Sequence, residues 1–176
     1  MANREALREL QARLAERLQA ARTQAVAASW LAVEAGGAHY LLPLAQAGEI
    51  FAFNAPQPVP YTQPWFVGVA NLRGGLWGVV DIASYLTGRP PQPRTDMARA
   101  QLRLVALNPV LEVNCAVLID RLAGLRGLEG FTASAPAPDG APEWFGSLYT
   151  DPQGVRWQEI NLQALAKQPR FLSISV

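Results

Sequence analysis

The segment from Gly68 to Ile82 constrains the fold of this chain most strongly, because it consists of two apolar runs joined by a tight polar corner. Asn71 and Gly74 lie at this corner, and both residue types tolerate backbone angles that other residues avoid. The flanking runs are rich in valine, as strands are. Arg73 is the single arginine in this apolar stretch. The segment therefore predicts two strands with an arginine between them.

Short strand-like runs with regular turn signals fill most of the remaining chain. The pair Gly36-Gly37 is a strong hairpin signal between the first two runs. About nine or ten such runs favour an all-β barrel or sandwich over an alternating α/β fold. The predicted strands are 29–35, 38–44, 48–53, two within 65–82, 102–107, 113–119, 122–128, 144–149 and 155–160. Short helices are predicted at 83–88 and 162–167, connectors at 89–98 and 135–142, and an apolar end at 171–176.

An amphipathic helix is predicted for residues 3–22, with Asn3 as its cap. Its apolar stripe must be buried against something. We expect the stripe to pack on its own domain, and pairing with a partner helix is the alternative. The chain is thus divided into an N-terminal helix, residues 1–25, and one β domain, residues 26–176. The stripe residues are Leu7, Leu10, Leu14, Leu18 and Ala21.

Composition excludes several classes of protein. A net charge of +1 and the absence of an arginine cluster argue against nucleic acid as a partner. The single cysteine, Cys115, lies in an apolar run and is expected to be a buried, inert thiol. Charges near the N-terminus leave no apolar signal segment, and prolines interrupt the uncharged stretch 51–72, so no membrane insertion is expected. We expect a cytoplasmic protein.

Motifs for catalysis are missing from the sequence. His39 is the only histidine, so neither a zinc site nor a serine–histidine–aspartate triad is favoured. The glycines do not match a phosphate-binding or dinucleotide-binding motif. An enzyme would need His39, Arg73 and Asp81 to converge in a cleft. The five tryptophans are better explained by core or interface packing, and Trp77 is an interface anchor if its strand turns it outward.

The block 68–74, followed by 79–82, resembles the signature of the CheW family, the adaptor proteins of bacterial chemotaxis arrays. The run 40–44 resembles the second strand of that family, and Glu49-Ile50 resembles its recurring acid–aliphatic pair. The resemblance extends from about residue 30 to residue 176. Within the family it is strongest to adaptors of twitching-motility (type IV pilus) chemosensory systems, in the version of the block, in the C-terminal segment and in the helical leader.

The resemblance implies a fold of two five-stranded SH3-like β-barrels lying side by side. It implies a non-catalytic adaptor that binds the regulatory domain of a CheA-type histidine kinase and the cytoplasmic tip of a methyl-accepting chemoreceptor. Such an adaptor lies in the cytoplasm and reaches membrane-bound receptor arrays through its partners. No cofactor and no metal are implied. The alternative is a regulatory β-barrel that binds a small ligand or another pilus-system protein without a kinase, and it would show a closed apolar pocket.

Carried onto this sequence, the resemblance implies three groups of site residues. Two roles of Arg73 stay open: a charge-assisted bond to the receptor, or an ion pair with Asp81 or Glu49 that holds the corner shut. Asp81 is expected to accept backbone N–H bonds. The groups are Arg73 and Asn71 for the receptor, Ala47, Gly68 and Trp77 for the kinase, and Gly74 and Asp81 for the structural motif.

Some positions depart from the family pattern. Gly78 stands where the family usually has proline, which leaves that strand less rigid. Ala47 occupies a position usually held by a β-branched residue that helps the kinase contact. The smaller side chain weakens the transfer of that contact to this protein. The loop 135–142 is also richer in proline than expected.

Overall fold

A computed structural model describes residues 8–19 and 28–176 of this protein. The strands are β1 (Ala28–Ala35), β2 (Ala38–Pro43), β3 (Ala47–Ala52), β4 (Phe66–Leu72), β5 (Gly75–Asp81), β6 (Arg103–Leu107), β7 (Cys115–Ile119), β8 (Arg121–Gly127), β9 (Ala133–Ala135), β10 (Phe145–Thr150) and β11 (Arg156–Ile160). Residues 8–19 are helical and form α1; the other helices are α2 (Ile82–Thr87), α3 (Asp96–Gln101), α4 (Leu162–Ala166) and α5 (Pro169–Leu172).

The strands form two sheets. The first sheet has six strands in the order β8-β1-β2-β11-β10-β9, and the second has five in the order β3-β6-β7-β5-β4. Neighbouring strands are antiparallel except for two parallel contacts, β11 with β2 and β5 with β7. Each parallel contact joins strands that are distant along the chain, as parallel pairing requires: all five strands of the second sheet lie between β2 and β11, and α2, α3 and β6 lie between β5 and β7.

Each sheet curls around an apolar cluster of its own. Trp30 and Trp157 lie in one cluster with residues from β2, β8 and β10, so strands from across the first sheet face one interior. Leu72 and Leu104 lie in the second cluster, which draws on all five strands of the second sheet. Because the side chains of a curled sheet alternate between inside and outside, these clusters explain the alternating apolar pattern of the sequence.

A third and larger cluster joins the two sheets. Its centre is aromatic: the ring of Tyr85 lies 5.1 Å from that of Trp65, 5.3 Å from that of Phe171 and 5.8 Å from that of Trp144. Tyr85 belongs to α2, Phe171 to α5 and Trp144 precedes β10. The short helices therefore serve to bring aromatic rings between the sheets, where edge-to-face contacts add to area burial.

The mostly β fold of two curled sheets is confirmed. The first sheet carries a sixth strand, the three-residue β9, beyond the five that were expected. The helix α3 falls at the end of the predicted connector 89–98, where Thr95 accepts a bond from the Ala98 amide at 3.2 Å and caps it. The sequence analysis did not predict this cap, because the prolines before Thr95 indicate a connector rather than the start of a helix. Likewise α5 begins at Pro169, before the predicted apolar end 171–176, and overlaps the first two residues of that end.

The leucine stripe of α1 is exposed in this structure. The predicted cap Asn3 and the predicted stripe residues Leu7 and Ala21 lie outside the described residues. The expectation that the stripe packs on its own domain is wrong for the described leucines, because both sheets already bury their apolar faces in the three clusters. None of the described helices is long and apolar enough to cross a membrane. The exposed fractions are 64% for Leu10, 60% for Leu14 and 58% for Leu18.

Candidate functional site

The predicted corner is a two-residue turn between β4 and β5. Leu72 pairs with Gly75 in the register, so Arg73 and Gly74 form the loop. Both have positive φ, 49° for Arg73 and 78° for Gly74, as a type I′ hairpin turn requires. The Oδ1 atom of Asn71 accepts a hydrogen bond from the Gly74 amide at 2.9 Å. The assignment of Asn71 and Gly74 as turn formers is therefore confirmed.

Arg73 is an unusual residue for its place in this turn. Glycine, asparagine and aspartate dominate positions with positive φ, and a non-glycine residue there costs on the order of 1 kcal/mol. Strain of this kind tends to persist where the side chain has a function. Arg73 therefore becomes the first candidate for a functional residue on this hairpin.

Arg73 reaches across the second sheet to Glu49 of β3. Its Nη2 atom lies 2.7 Å from the Oε1 atom of Glu49, so the pair joins the hairpin tip to the opposite edge strand. The Arg73 side chain nevertheless keeps 76% of its surface exposed, and Glu49 keeps 42%. The ion pair with Glu49 is thus confirmed, but a guanidinium has further N–H donors, and these remain available to a partner.

An apolar recess of about 470 Å³ lies beside this ion pair. Phe51 of β3 and Leu72 and Trp77 of the hairpin form much of its wall, with Leu107 and Pro109 behind them. An open apolar recess with a charged pair at its edge is suited to receiving an apolar side chain and fixing a polar group next to it.

Trp77 is a wall of this recess rather than an exposed anchor. It is half-buried and packs on the cluster inside the second sheet. Its neighbour Leu76 is 67% exposed and lies opposite Asn71 in the register. Trp77 was an interface anchor only if its strand turned it outward, and the structure does not meet this condition in full, because the ring packs on the interior cluster. The sequence analysis did not identify Leu76 as an exposed apolar residue. Strict alternation of inward and outward side chains along the strand would have predicted it.

Gly68 is fixed by the backbone of the proline-rich loop. Gln57 and Val69 exchange two backbone hydrogen bonds, of 2.7 and 2.9 Å, so the loop lies along the edge of β4. Gly68 has φ of 142°, and a Cβ there would lie 2.2 Å from the carbonyl oxygen of Gln57. A side chain at Gly68 would push the loop away from β4. Gly68 thus shapes the strand edge at which a kinase contact was predicted.

Ala47 lies in the cluster between the two sheets and is 8% exposed. Its Cα pairs with that of Leu107 at the start of β3. A side chain so buried offers little surface to any partner. The structure therefore places Ala47 and Gly68 on the two edge strands of the second sheet, β3 and β4, and Trp77 on the inner strand β5. Of the three, Trp77 alone lines the recess.

Asp81 does not pair with Arg73. It is 1% exposed, and its Oδ1 atom accepts the Ser84 amide at 3.0 Å, which caps α2. Its Oδ2 atom accepts from Nη2 of Arg94 at 2.9 Å. Accepting a backbone N–H bond is the role expected of Asp81, and that prediction is confirmed. The sequence analysis did not identify Arg94 as the partner of Asp81, because Arg94 lies in a proline-rich segment that was predicted only as a connector.

Arg94 joins both sheets at this point. Its Nε atom donates to Asp120 at 2.7 Å, and Asp120 also accepts the amide of Gly36 in the β1–β2 turn at 2.7 Å. Burial alone would lower the pKa of Arg94, but its bonds to Asp81 and Asp120 and their charges outweigh burial and raise the pKa. The resulting network fixes the connector against the end of β5 and, through Asp120, against the β1–β2 turn.

The residues that an enzyme would need take separate partners. The Nε2 atom of His39 lies 3.7 Å from Glu34, whereas Arg73 pairs with Glu49 and Asp81 with Arg94. In the part of the chain that the structure describes, no group of three or more histidine, cysteine, aspartate or glutamate side chains is placed to hold a metal ion. The hairpin tip and its recess, in contrast, have the geometry of a binding site.

Comparison of the sequence and the fold with known proteins identifies the family of this chain. The sequence model of the CheW-like domain matches residues 29–170. Protein PilI of Pseudomonas aeruginosa is 26% identical over 168 residues, which is 93% of this chain and 89% of PilI. The fold is similar to the crystal structure of the scaffolding protein TtCheW from Thermoanaerobacter tengcongensis, with a TM-score of 0.59 at 13% identity over 76% of this chain and 88% of that one. Since the family match covers most of the chain, this protein belongs to the CheW-like domain family.

Proposed function

We propose that this protein is a non-catalytic adaptor that couples chemoreceptors to a CheA-type histidine kinase, in a cytoplasmic chemosensory array controlling twitching motility by type IV pili. The observation that carries the proposal is Arg73, held in a strained turn and exposed beside an apolar recess. Membership of the CheW-like domain family supports the adaptor role. Similarity to PilI supports the pilus system.

The receptor contact is assigned to the hairpin tip. Arg73 is anchored on Glu49 by one nitrogen, and its remaining N–H groups bond to a carboxylate or a backbone carbonyl at the receptor tip. Asn71 holds the turn that aims the guanidinium. The adjoining recess takes an apolar side chain of the same receptor segment. Charge-assisted bonds next to a desolvated apolar contact give both specificity and affinity.

The kinase contact is assigned to the edge of the second sheet, where the regulatory domain packs barrel against barrel. Gly68 permits the loop that borders this edge, and Trp77 supports its surface from within. Ala47 contributes through the packing beneath the edge because its own side chain is buried. Leu76 and Ile50, which are 67% and 37% exposed, supply apolar surface for this contact.

Titration of the protein against a peptide or fragment of the chemoreceptor tip from the same genome tests the receptor contact. We expect Arg73→Glu to weaken binding by about ten-fold or more, since a repulsive charge replaces an attractive one. Arg156→Glu is the matched control, because Arg156 is an exposed arginine of the first sheet. Equal affinity of both variants, with melting temperatures unchanged, would contradict the assignment.

The second candidate is a regulatory barrel that binds a small ligand without a kinase. The volume of the recess, about 470 Å³, lies within the range of about 300–1,000 Å³ usual for ligand sites, but the recess is open, whereas this candidate was expected to show a closed pocket. This candidate predicts no binding to the kinase regulatory domain while both proteins are folded. It also predicts that a small apolar compound protects Trp77 from solvent and raises the melting temperature.

A further inference from the structure

The connector between α2 and α3 carries a spacing of prolines that occurs nowhere else in the chain. Of the 14 prolines in the sequence, only Pro90 and Pro93 lie three residues apart. Together with Pro91 they form the run Pro-Pro-Gln-Pro, and an arginine stands on each side of it. A Pro-x-x-Pro spacing is that of segments which partners recognise in the polyproline II conformation. We call residues 89–93 the proline segment.

Proline chemistry restricts the backbone of this segment. Each proline fixes its own φ near −65°, and a residue that precedes a proline is pushed into the extended region. Every residue from Arg89 to Pro93 meets at least one of these two conditions. Residues 88–95 accordingly belong to no helix or strand. These restrictions favour a polyproline II stretch with three residues per turn, in which Pro90 and Pro93 lie on the same edge.

The whole proline segment is exposed to solvent, including its three prolines. Its one internal side-chain bond is a brace along the segment, in which Nε2 of Gln92 donates to the carbonyl of Pro90 at 3.2 Å. The guanidinium of Arg89 forms no ion pair among the described residues. The segment therefore offers a partner its proline rings and one exposed cation.

Both ends of the segment are held by buried side chains. At the first end Ser84, which is 4% exposed, donates its hydroxyl to the carbonyl of Arg89 at 2.5 Å. Just beyond the second end the Arg94 side chain bonds to Asp81 at 2.9 Å and to Asp120 at 2.7 Å. The segment is thus ordered before any partner arrives, which reduces the entropy that binding must cost.

The two other proline-rich stretches of the chain lack this combination of features. In the stretch 55–60 the prolines alternate with other residues, and Gln57 exchanges two backbone hydrogen bonds with Val69, so this stretch lies against β4. In the stretch 135–142 the positive φ of Gly140, 78°, breaks any extended run. Among the described proline-rich stretches, the proline segment alone joins the Pro-x-x-Pro spacing to exposure and fixed ends.

The proline segment and the hairpin tip lie at opposite ends of β5. The segment is anchored through Arg94 on Asp81, the last residue of β5, whereas Arg73 and Gly74 precede its first residue. The seven residues of β5 span about 20 Å at about 3.3 Å per residue. This separation allows one partner to bind at the hairpin tip while another binds the proline segment.

We propose that the proline segment forms a second contact with the kinase regulatory domain, in a groove of that domain that is lined by aromatic rings and has an acidic side chain at one end. Aromatic-lined grooves are the sites that recognise extended Pro-x-x-Pro segments, because proline rings pack on aromatic faces. The exposed cation of Arg89 pairs with the acidic side chain and fixes the direction in which the segment binds. The choice of the kinase rests on the proposed function, in which the receptor binds at the far end of β5.

Calorimetric titration of the full chain against the kinase regulatory domain from the same genome tests the proposal. We expect Pro90→Ala/Pro93→Ala to weaken binding about ten-fold or more, since it removes the two rings that share an edge. Arg89→Glu should also weaken binding, because it places a negative charge next to the acidic side chain of the groove. The melting temperatures of these variants should stay close to that of the wild type, because the changed side chains are exposed.

The matched control is Pro136→Ala/Pro138→Ala, which changes two exposed prolines of the loop 135–142 and should bind the kinase domain as the wild type does. Equal binding by the wild type and Pro90→Ala/Pro93→Ala would overturn the proposal and leave the adaptor function standing. Equal weakening in both double variants would also overturn it, because the effect would not depend on the proline segment. If the wild type itself does not bind, the adaptor function fails and this contact fails with it.

Discussion

The guanidinium of Arg73 lies 2.7 Å from the carboxylate of Glu49 and ties the tip of the β4–β5 hairpin to the opposite edge strand of the same sheet. The arginine occupies a turn position that favours glycine and keeps 76% of its side chain exposed. An exposed ion pair contributes at most about 1 kcal/mol to folding. Stability alone therefore gives little reason for an arginine here, which is why we assign it to a partner contact.

Replacement of Arg73 by glycine separates function from stability. Glycine relieves the cost of positive φ, on the order of 1 kcal/mol, and this offsets the lost ion pair. We expect Arg73→Gly to match or exceed the wild type in the free energy of unfolding measured with urea, while its affinity for the receptor tip falls about ten-fold or more. Arg73→Ala keeps the strain and should be less stable than Arg73→Gly. Wild-type affinity in Arg73→Gly would refute the assigned role.

Substitution of Gly68 should destabilise the fold much more than substitution of Gly74. Both have positive φ, but a Cβ at Gly68 would lie 2.2 Å from the Gln57 carbonyl oxygen, whereas a Cβ at Gly74 meets nothing within 4 Å. We expect Gly68→Ala to cost about 3 kcal/mol or more and Gly74→Ala about 1 kcal/mol. Chemical denaturation of both variants measures the difference. Similar losses would show that the loop 55–60 moves away from β4 at little cost.

Removal of Arg94 should leave a buried charge without its partner. Asp81 is 1% exposed and bonds Arg94 at 2.9 Å. Breaking a buried pair by removing one member typically costs about 3–5 kcal/mol, and the 18% exposure of Arg94 favours the lower end of that range for Arg94→Met. Arg99→Met is the control, since Arg99 is exposed on the neighbouring helix α3. A melting temperature of Arg94→Met equal to that of the control would contradict this account of the connector.

Acid should weaken the first sheet through Asp151. Burial alone would raise the pKa of this carboxyl, but bonds from the Trp157 ring nitrogen and the amides of Val155 and Gln153 outweigh burial and lower it from 3.8. A carboxyl whose pKa is lowered by folding stabilises the folded state at any pH above its pKa in the unfolded chain. This stabilisation is lost as the pH falls through its pKa in the folded state. We therefore expect unfolding free energy to decline below about pH 4 in the wild type, with part of the decline absent in Asp151→Asn. Parallel curves for the two proteins would count against this role.

The sequence was a good guide to the strands and a poor one to long-range pairs. Gly36-Gly37 and the Asn71 to Gly74 corner are local turn signals, and both hairpins form where they were predicted. The bonds from Arg94 to Asp81 and Asp120 span 13 and 26 residues, so no local pattern reveals them. The tertiary fold, rather than the spacing along the sequence, determines which acidic side chain pairs with which arginine.

The surface around the hairpin shows a related limit. Alternation predicts which side of a strand a residue lies on, but not how far a large ring folds over the sheet. Trp77 is half-buried for this reason, and Leu76 next to it is the exposed apolar residue. Ala47 is buried because β3 contributes it to the cluster between the sheets, a contact that depends on the second sheet as a whole.

Calorimetric titration of this protein against the regulatory domain of the CheA-type kinase from the same genome tests the adaptor function most directly. The account predicts saturable binding of micromolar affinity or tighter, unchanged by Arg156→Glu and weakened by Leu76→Glu, which changes the exposed leucine of β5. No binding at high concentration, with both proteins folded, would contradict the adaptor function and favour the regulatory barrel.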